Sequence, residues 1–150
     1  MHSSILVGTD GSGTAAEAVA AAARLAAAMD ARLTIVSAFA PVPRSRLRAE
    51  AQQAPSDVEW TVNAREDVEA LLETAKAAAL GAGATKVRTA AREGDPATGI
   101  LDVADELHCD LIVVGNRGMT GGGGRRFLLG AVPDKISHHA PCSVLIVATT

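Results

Sequence analysis

Apolar residues fall along this chain in two kinds of run. Ile5-Leu6-Val7-Gly8 and Leu111-Ile112-Val113-Val114 are short and unbroken, as expected of strands buried on both faces of a parallel sheet. Leu33–Phe39 and Ser143–Ala148 read as strands too. Lys86–Ala91 alternates, which predicts a strand with less burial. Between these lie longer stretches with helical spacing. Ala15 to Met29 is alanine-rich, with Ser12 as its N-cap. Val58 to Leu80 carries Val58, Val62, Val68, Leu71, Leu72, Ala75 and Ala79 on one face, and Gly81-Ala82-Gly83 ends it. Asp95 caps a third helix that has Pro96 at its first position and runs through Leu107. Val132 to His139 forms a short last helix before Pro141. Pro41 to Ser56, with three prolines and several charges, reads as a surface excursion. Strands alternating with helices predict one α/β domain over residues 1–150: a five-stranded parallel sheet covered on both faces.

Composition narrows the function. Apolar residues make up 48% of the 150, enough for one sizeable core. Aromatics are limited to Phe39, Trp60 and Phe127, so platforms for stacking single-stranded nucleic acid are nearly absent. The formal net charge of −3 argues against a DNA-coating face. Arg44, Arg46 and Arg48 read as a solvated loop. Cys109 and Cys142 make no CxxC and no disulfide framework. No run reaches membrane-span length, and the first residues lack a signal-peptide pattern. A cytoplasmic location is the expectation.

Candidate chemistry lies in the loops after the first and fourth strands, because ligands of open α/β sheets bind beyond the carboxyl ends of the strands, where strand order reverses. In Gly8-Thr9-Asp10-Gly11-Ser12, Asp10 has two readings: an acceptor for a ribose hydroxyl or adenine amine, or an Asx-turn that caps the next helix. The second loop, from Gly115 to Gly130, holds four consecutive glycines and Arg117, Arg125 and Arg126. Backbone amides unobstructed by side chains, followed by a helix start, suit a phosphate, and the arginines add charge-assisted donors. The loop lacks the Gly-Lys-Ser/Thr of a Walker A motif and is not a dinucleotide GxGxxG fingerprint. His138 and His139 are adjacent on a helix and point about 100° apart, a poor chelating pair. They are expected to satisfy the helix dipole. With His108 and Cys109 they match no standard metal spacing. No GxSxG elbow or Ser-His-Asp pattern is visible.

Three stretches together resemble the universal stress protein family: Ile5–Ser12, Asp110–Gly118, and Gly130–Pro133 continuing through His138-His139-Ala140-Pro141-Cys142 to Val147. The resemblance implies a Rossmann-like, HUP-type fold with strand order 3-2-1-4-5, which sets strands one and four side by side. It also implies the family's nucleotide-binding branch, with G-x2-G-x9-G-(S/T) in the fourth loop. Thr9 and Asp10 would then meet the nucleoside, and Ala38 would line the adenine pocket. Gly115, Arg117, Gly118, Gly130, Ala131 and Val132 would surround ribose and phosphates. ATP, with or without magnesium, is the leading ligand and cyclic AMP the second. A homodimer paired through Ser143–Ala148 is implied as well.

The chain departs from that pattern twice. Eleven residues, not nine, separate Gly118 from Gly130, and Ala131 stands where the pattern has Ser or Thr. Two extra residues cost only about 0.15 kcal/mol of closure entropy, although ordering each added glycine costs roughly 1 kcal/mol. A missing hydroxyl on a charged oxygen costs roughly 1.5–3 kcal/mol. The expectation is a weakened phosphate grip with the pocket kept. Two other readings stand beside this one. One is a dimeric stress-response module, with an unidentified protein partner, that has lost nucleotide binding. The other is a slow nucleotide hydrolase, for which Asp10 is the sole candidate base.

Overall fold

The computed structural model describes residues 2–40, 64–116 and 130–149. The excursion read at Pro41–Ser56, the start of the long second helix, and the glycine run with Arg117, Gly118, Arg125 and Arg126 lie outside the described residues.

The first strand, β1 (Ser4–Gly8), leads through Thr9-Asp10-Gly11-Ser12 into α1 (Gly13–Met29). Ser12 is the N-cap as read: its Oγ accepts from the Ala15 amide at 3.2 Å. Asp30, in the left-handed conformation at φ 51°, ends the helix and turns the chain into β2 (Arg32–Phe39). The next described helix, α2, is Arg65–Gly81. It runs one residue past the expected Leu80, and the turn comes at Gly83 with φ +112°. Here the chain adopts a backbone conformation that L side chains rarely take. β3 (Lys86–Glu93) continues two residues beyond Ala91. Asp95 caps α3 (Pro96–Glu106), accepting from the Thr98 amide at 2.9 Å, with Pro96 in the first turn. β4 (Leu111–Gly115), α4 (Ala131–His139) and β5 (Ser143–Val147) complete the chain.

The five strands form one parallel sheet in the order β3-β2-β1-β4-β5. Alternation along β1 and β4 divides the core into two layers. Ile5, Val7, Leu33, Ile35 and Val113 pack against α1 and α2, where Ala18, Ala22, Ala23, Ala26, Val68 and Leu72 meet them. Leu6, Val36, Ile112 and Val114 pack against α3 and α4 through Ile100, Val103 and Ile136. Each fully buried Ile or Val contributes on the order of 1.5–3 kcal/mol. β1 sits mid-sheet, and β2 and β4 flank it on opposite sides. The chain winds one way from β1 to β3 and then reverses to β4. The switch point therefore lies between β1 and β4, at their carboxyl ends.

Candidate functional site at the switch point

The β1 loop is built by its own side chains. The Thr9 amide donates to the Val36 carbonyl at 2.9 Å, pinning the loop's start to β2. Thr9 Oγ1 accepts from the Gly11 amide at 3.1 Å, and Gly11 turns the chain at φ +83°. Asp10 Oδ1 accepts from the Ser12 amide at 2.9 Å, an Asx-turn leading into the Ser12 cap. Asp10 Oδ2 is buried and has no hydrogen-bond partner among the described residues, in a side chain only 6% exposed. The Asx-turn reading of Asp10 is met by Oδ1. One oxygen organises the loop, and the other is an unused acceptor whose burial costs about 1–3 kcal/mol or more while unpaired.

The β4 side is held by Asn116, which the sequence reading did not single out. Its amide donates to Val147 at 3.0 Å, and its carbonyl accepts from the Gly130 amide at 3.0 Å. Its Oδ1 accepts from both the amide and the hydroxyl of Thr149, each at 2.9 Å. One residue therefore ties the end of β4, the end of β5 and the start of α4 together. The signal for it was a lone amide side chain immediately after a strand-ending glycine.

Gly130 is the N-cap of α4 and is buried. Gly130 has no side chain to cap this terminus, and Pro133 supplies no amide. Helix starts of this kind present backbone amides and a partial positive charge to an anion. Gly115 ends β4 beside Val147. Ala38, only 2% exposed, lies near the end of β2 on the α3 side of the sheet, in phase with Val36. Structure thus gathers Thr9, Asp10, Ala38, Gly115, Gly130, Ala131 and Val132 at the carboxyl edge of neighbouring strands. Arg117 and Gly118 are outside the described residues. A second buried polar atom without a partner among the described residues, Ser37 Oγ, was also not anticipated. Beside the β1 loop, Thr9, Ser12, Ala16, Leu71, Thr74 and Ala78 line a mainly apolar cleft of about 210 Å³ between α1 and α2.

The remaining candidates resolve into structural roles. His138 Nε2 sits 3.5 Å from Asp134 Oδ1, one turn earlier on α4, and the two imidazoles are 6.5 Å apart and tilted by 53°. No group of three or more metal-binding side chains occurs among the described residues. Cys109 and Cys142 are free thiols. Burial pushes the Cys109 thiol up, against the hydrogen bond from Ser4, and burial raises Cys142 as well. Asp95 is held below the usual carboxylate range by the Thr98 amide, with further hydrogen bonds from the Thr98 hydroxyl and Lys135 outweighing its partial burial. Among the described residues, no helix is long and apolar enough to cross a membrane.

A mid-sheet switch point, an acidic loop after β1 and a helix start after β4 define a Rossmann-like α/β domain with a candidate anion and nucleoside crevice. Residues 1–148 match the model of the universal stress protein family. Universal stress protein Rv1636 of Mycobacterium tuberculosis is 39% identical over 149 residues, 99% of this chain and 98% of that protein. The crystal structure of a universal stress protein in complex with cAMP is 32% identical with a TM-score of 0.75, covering 99% of both chains. The fold also matches the universal stress protein UspA from Lactobacillus plantarum, 22% identical over 97% of both chains, with a TM-score of 0.72. The chain belongs to the universal stress protein family.

Proposed function

We propose that this protein binds an adenine nucleotide in the crevice between the β1 and β4 loops and acts as a binding protein in stress response. The observation that carries the reading is the Oδ2 of Asp10 at the switch point, buried and without a partner among the described residues. A nucleoside hydroxyl or amine donor would satisfy it. Thr9 and Ala38 flank that contact. Gly130, Ala131 and Val132 bring the α4 N-terminus to the phosphates, with Gly115, Arg117 and Gly118 completing the cradle by the family pattern. ATP, with or without magnesium, is the first ligand to test. Cyclic AMP is the second, supported by the related structure in complex with cAMP. Its single phosphate depends less on the hydroxyl that Ala131 lacks. Asp10 suits a fixed acceptor better than a base that turns over water, since its Oδ1 already holds the Ser12 amide. The reading is therefore of a binding protein, with hydrolysis the weaker alternative. A homodimer paired through β5 accompanies the reading: β5 is an edge strand with Leu145 39% exposed, and an unpaired apolar edge favours a partner.

The test is calorimetric titration of the nucleotide-stripped protein with ATP, with and without magnesium, and with cyclic AMP. Micromolar binding to either is the expected result. No heat, together with no thermal shift at millimolar ligand, refutes it. The second reading, an interaction module without nucleotide, rests on Ala131 and the eleven-residue spacing. It predicts that Ala131→Ser with two glycines deleted from Gly121–Gly124 restores binding absent from the natural chain.

A further inference from the structure

The opposite end of the sheet carries a cluster that the nucleotide crevice does not use. β2 and β3 both begin with a basic residue, and their register sets Arg32 directly beside Lys86. Arg88 stands two residues further along β3, on the same face. That face is the α3 side, since Val36 and Ala90, in phase with Arg32 and Arg88, pack in the α3–α4 layer. With Val87, the three cations line a groove of about 250 Å³. Like charges directly opposite on neighbouring strands are destabilising, and here they occur in a chain whose net charge is −3. Only Lys86 has an acidic partner: its Nζ lies 3.2 Å from Asp30 Oδ1 and 3.3 Å from the Asp30 carbonyl. Among the described residues, the side chain of Arg32 makes no hydrogen bond or ion pair, and the same is true of Arg88. Two guanidinium forks thus stand uncommitted beside an ammonium that is only partly neutralised.

We propose that this groove binds a small phosphate-class oxyanion: inorganic phosphate, pyrophosphate, or the phosphorylated end of a small metabolite. Guanidinium forks match such oxygens in bidentate fashion, and an oxyanion would turn the cross-strand repulsion between Arg32 and Lys86 into shared attraction. Arg32 lies about 20 Å along β2 from Ala38 at the crevice, so the groove is distinct from the nucleotide site and the proposal stands without it.

The probe is pyrophosphate, followed by heteronuclear NMR of the full chain, with sulfate as a control anion. Saturable shifts are expected at the amides of Arg32, Val87 and Arg88. The affinity should fall with added salt and exceed that for sulfate. Arg32→Gln with Arg88→Gln should weaken binding by at least about tenfold without lowering the melting temperature, because neither guanidinium makes a hydrogen bond or ion pair among the described residues. Arg88→Lys keeps the charge but loses the fork, and should weaken binding several-fold. The proposal is overturned if shifts gather only at Gly11, Ser12 and Val132. It is equally overturned if sulfate does as well, if only a long polyphosphate chain binds, or if a folded Arg88→Lys protein and the double variant both titrate like the natural chain.

Discussion

Asp10→Ala separates binding from folding more cleanly than any other substitution in the crevice. It removes two oxygens with opposite effects. Losing Oδ1 breaks the 2.9 Å bond from the Ser12 amide, a cost of about 1.5–3 kcal/mol for a bond to a charged acceptor. Losing Oδ2 removes a buried acceptor without a partner, a relief of about 1–3 kcal/mol. The two nearly cancel, so the denaturation midpoint should move little. Nucleotide affinity has no such compensation. The acceptor for the nucleoside donor disappears, and about 1.5–3 kcal/mol is lost, roughly ten- to over a hundredfold in Kd. Asp10→Asn sharpens the test. It keeps the Asx-turn oxygen but puts an amide donor where Oδ2 stood, facing a donor on the ligand, so it should bind as poorly as the alanine variant. Both are measured by calorimetric titration with ATP and cyclic AMP beside urea denaturation. The reasoning fails if a folded variant binds normally, or if affinity falls only in step with lost stability.

Asn116→Ala strands the buried Thr149 amide and hydroxyl, and should cost about 1–3 kcal/mol in urea denaturation while also weakening nucleotide affinity. Gly11→Ala forces a Cβ onto a φ of +83°, 3.4 Å from Leu71 Cδ2; about 1–2 kcal/mol of backbone cost is expected, read as a lower melting temperature. Asp95 and Asp110 are both lowered from the ordinary carboxylate value, Asp95 chiefly by the Thr98 amide; at Asp110, partial burial pushes upward but is outweighed together by hydrogen bonds from Ser3 and Ser4 and by His2. A carboxylate lowered in the folded state stabilises above its unfolded value, about 3.9. That contribution is lost as pH falls through the lowered folded value. Asp95→Asn should therefore flatten the acid limb of a stability–pH curve below about pH 4 and leave its slope at neutral pH unchanged.

The legible parts of the fold were those fixed by local chemistry. The unbroken runs of β1 and β4 announce burial on both faces, and Ser12, Asp95 and Pro96 mark helix starts with groups that satisfy amides nearby in the chain. β3 was read two residues short because Arg92 and Glu93 break its pattern. Glu93 is exposed, whereas Arg92 lies half-buried over α3, its Cβ close against Gly99, and pairs with Glu106 at 3.1 Å. The ends of α1 and α3 fall on Asp30 and His108 in left-handed geometry rather than on glycine, which residue type alone does not mark. In the crevice, Asp10 was legible as a choice between two roles, but not that its Oδ1 makes the Asx-turn while its Oδ2 is left buried without a partner among the described residues. Asn116 was missed because its partners, Val147 and Thr149, lie more than thirty positions away, and its worth appears only once β4 and β5 are neighbours.

The alanines of α1 carry a consequence for variation in this chain. Ala18, Ala22, Ala23 and Ala26 meet the strands with almost no exposed surface, so backbone approaches backbone with single methyl groups between. Such a contact has little slack. A larger residue there has nowhere to rotate, and its extra methylenes must push the helix off the sheet, at about 1–3 kcal/mol per site. A survey of tolerated substitutions should find this buried stripe confined to glycine, alanine and serine. The leucine- and valine-lined contacts of α2 and α3 should accept many exchanges of similar volume. The helix that starts at the β1 loop would then be the slowest part of the molecule to diverge, for reasons of space as much as of chemistry.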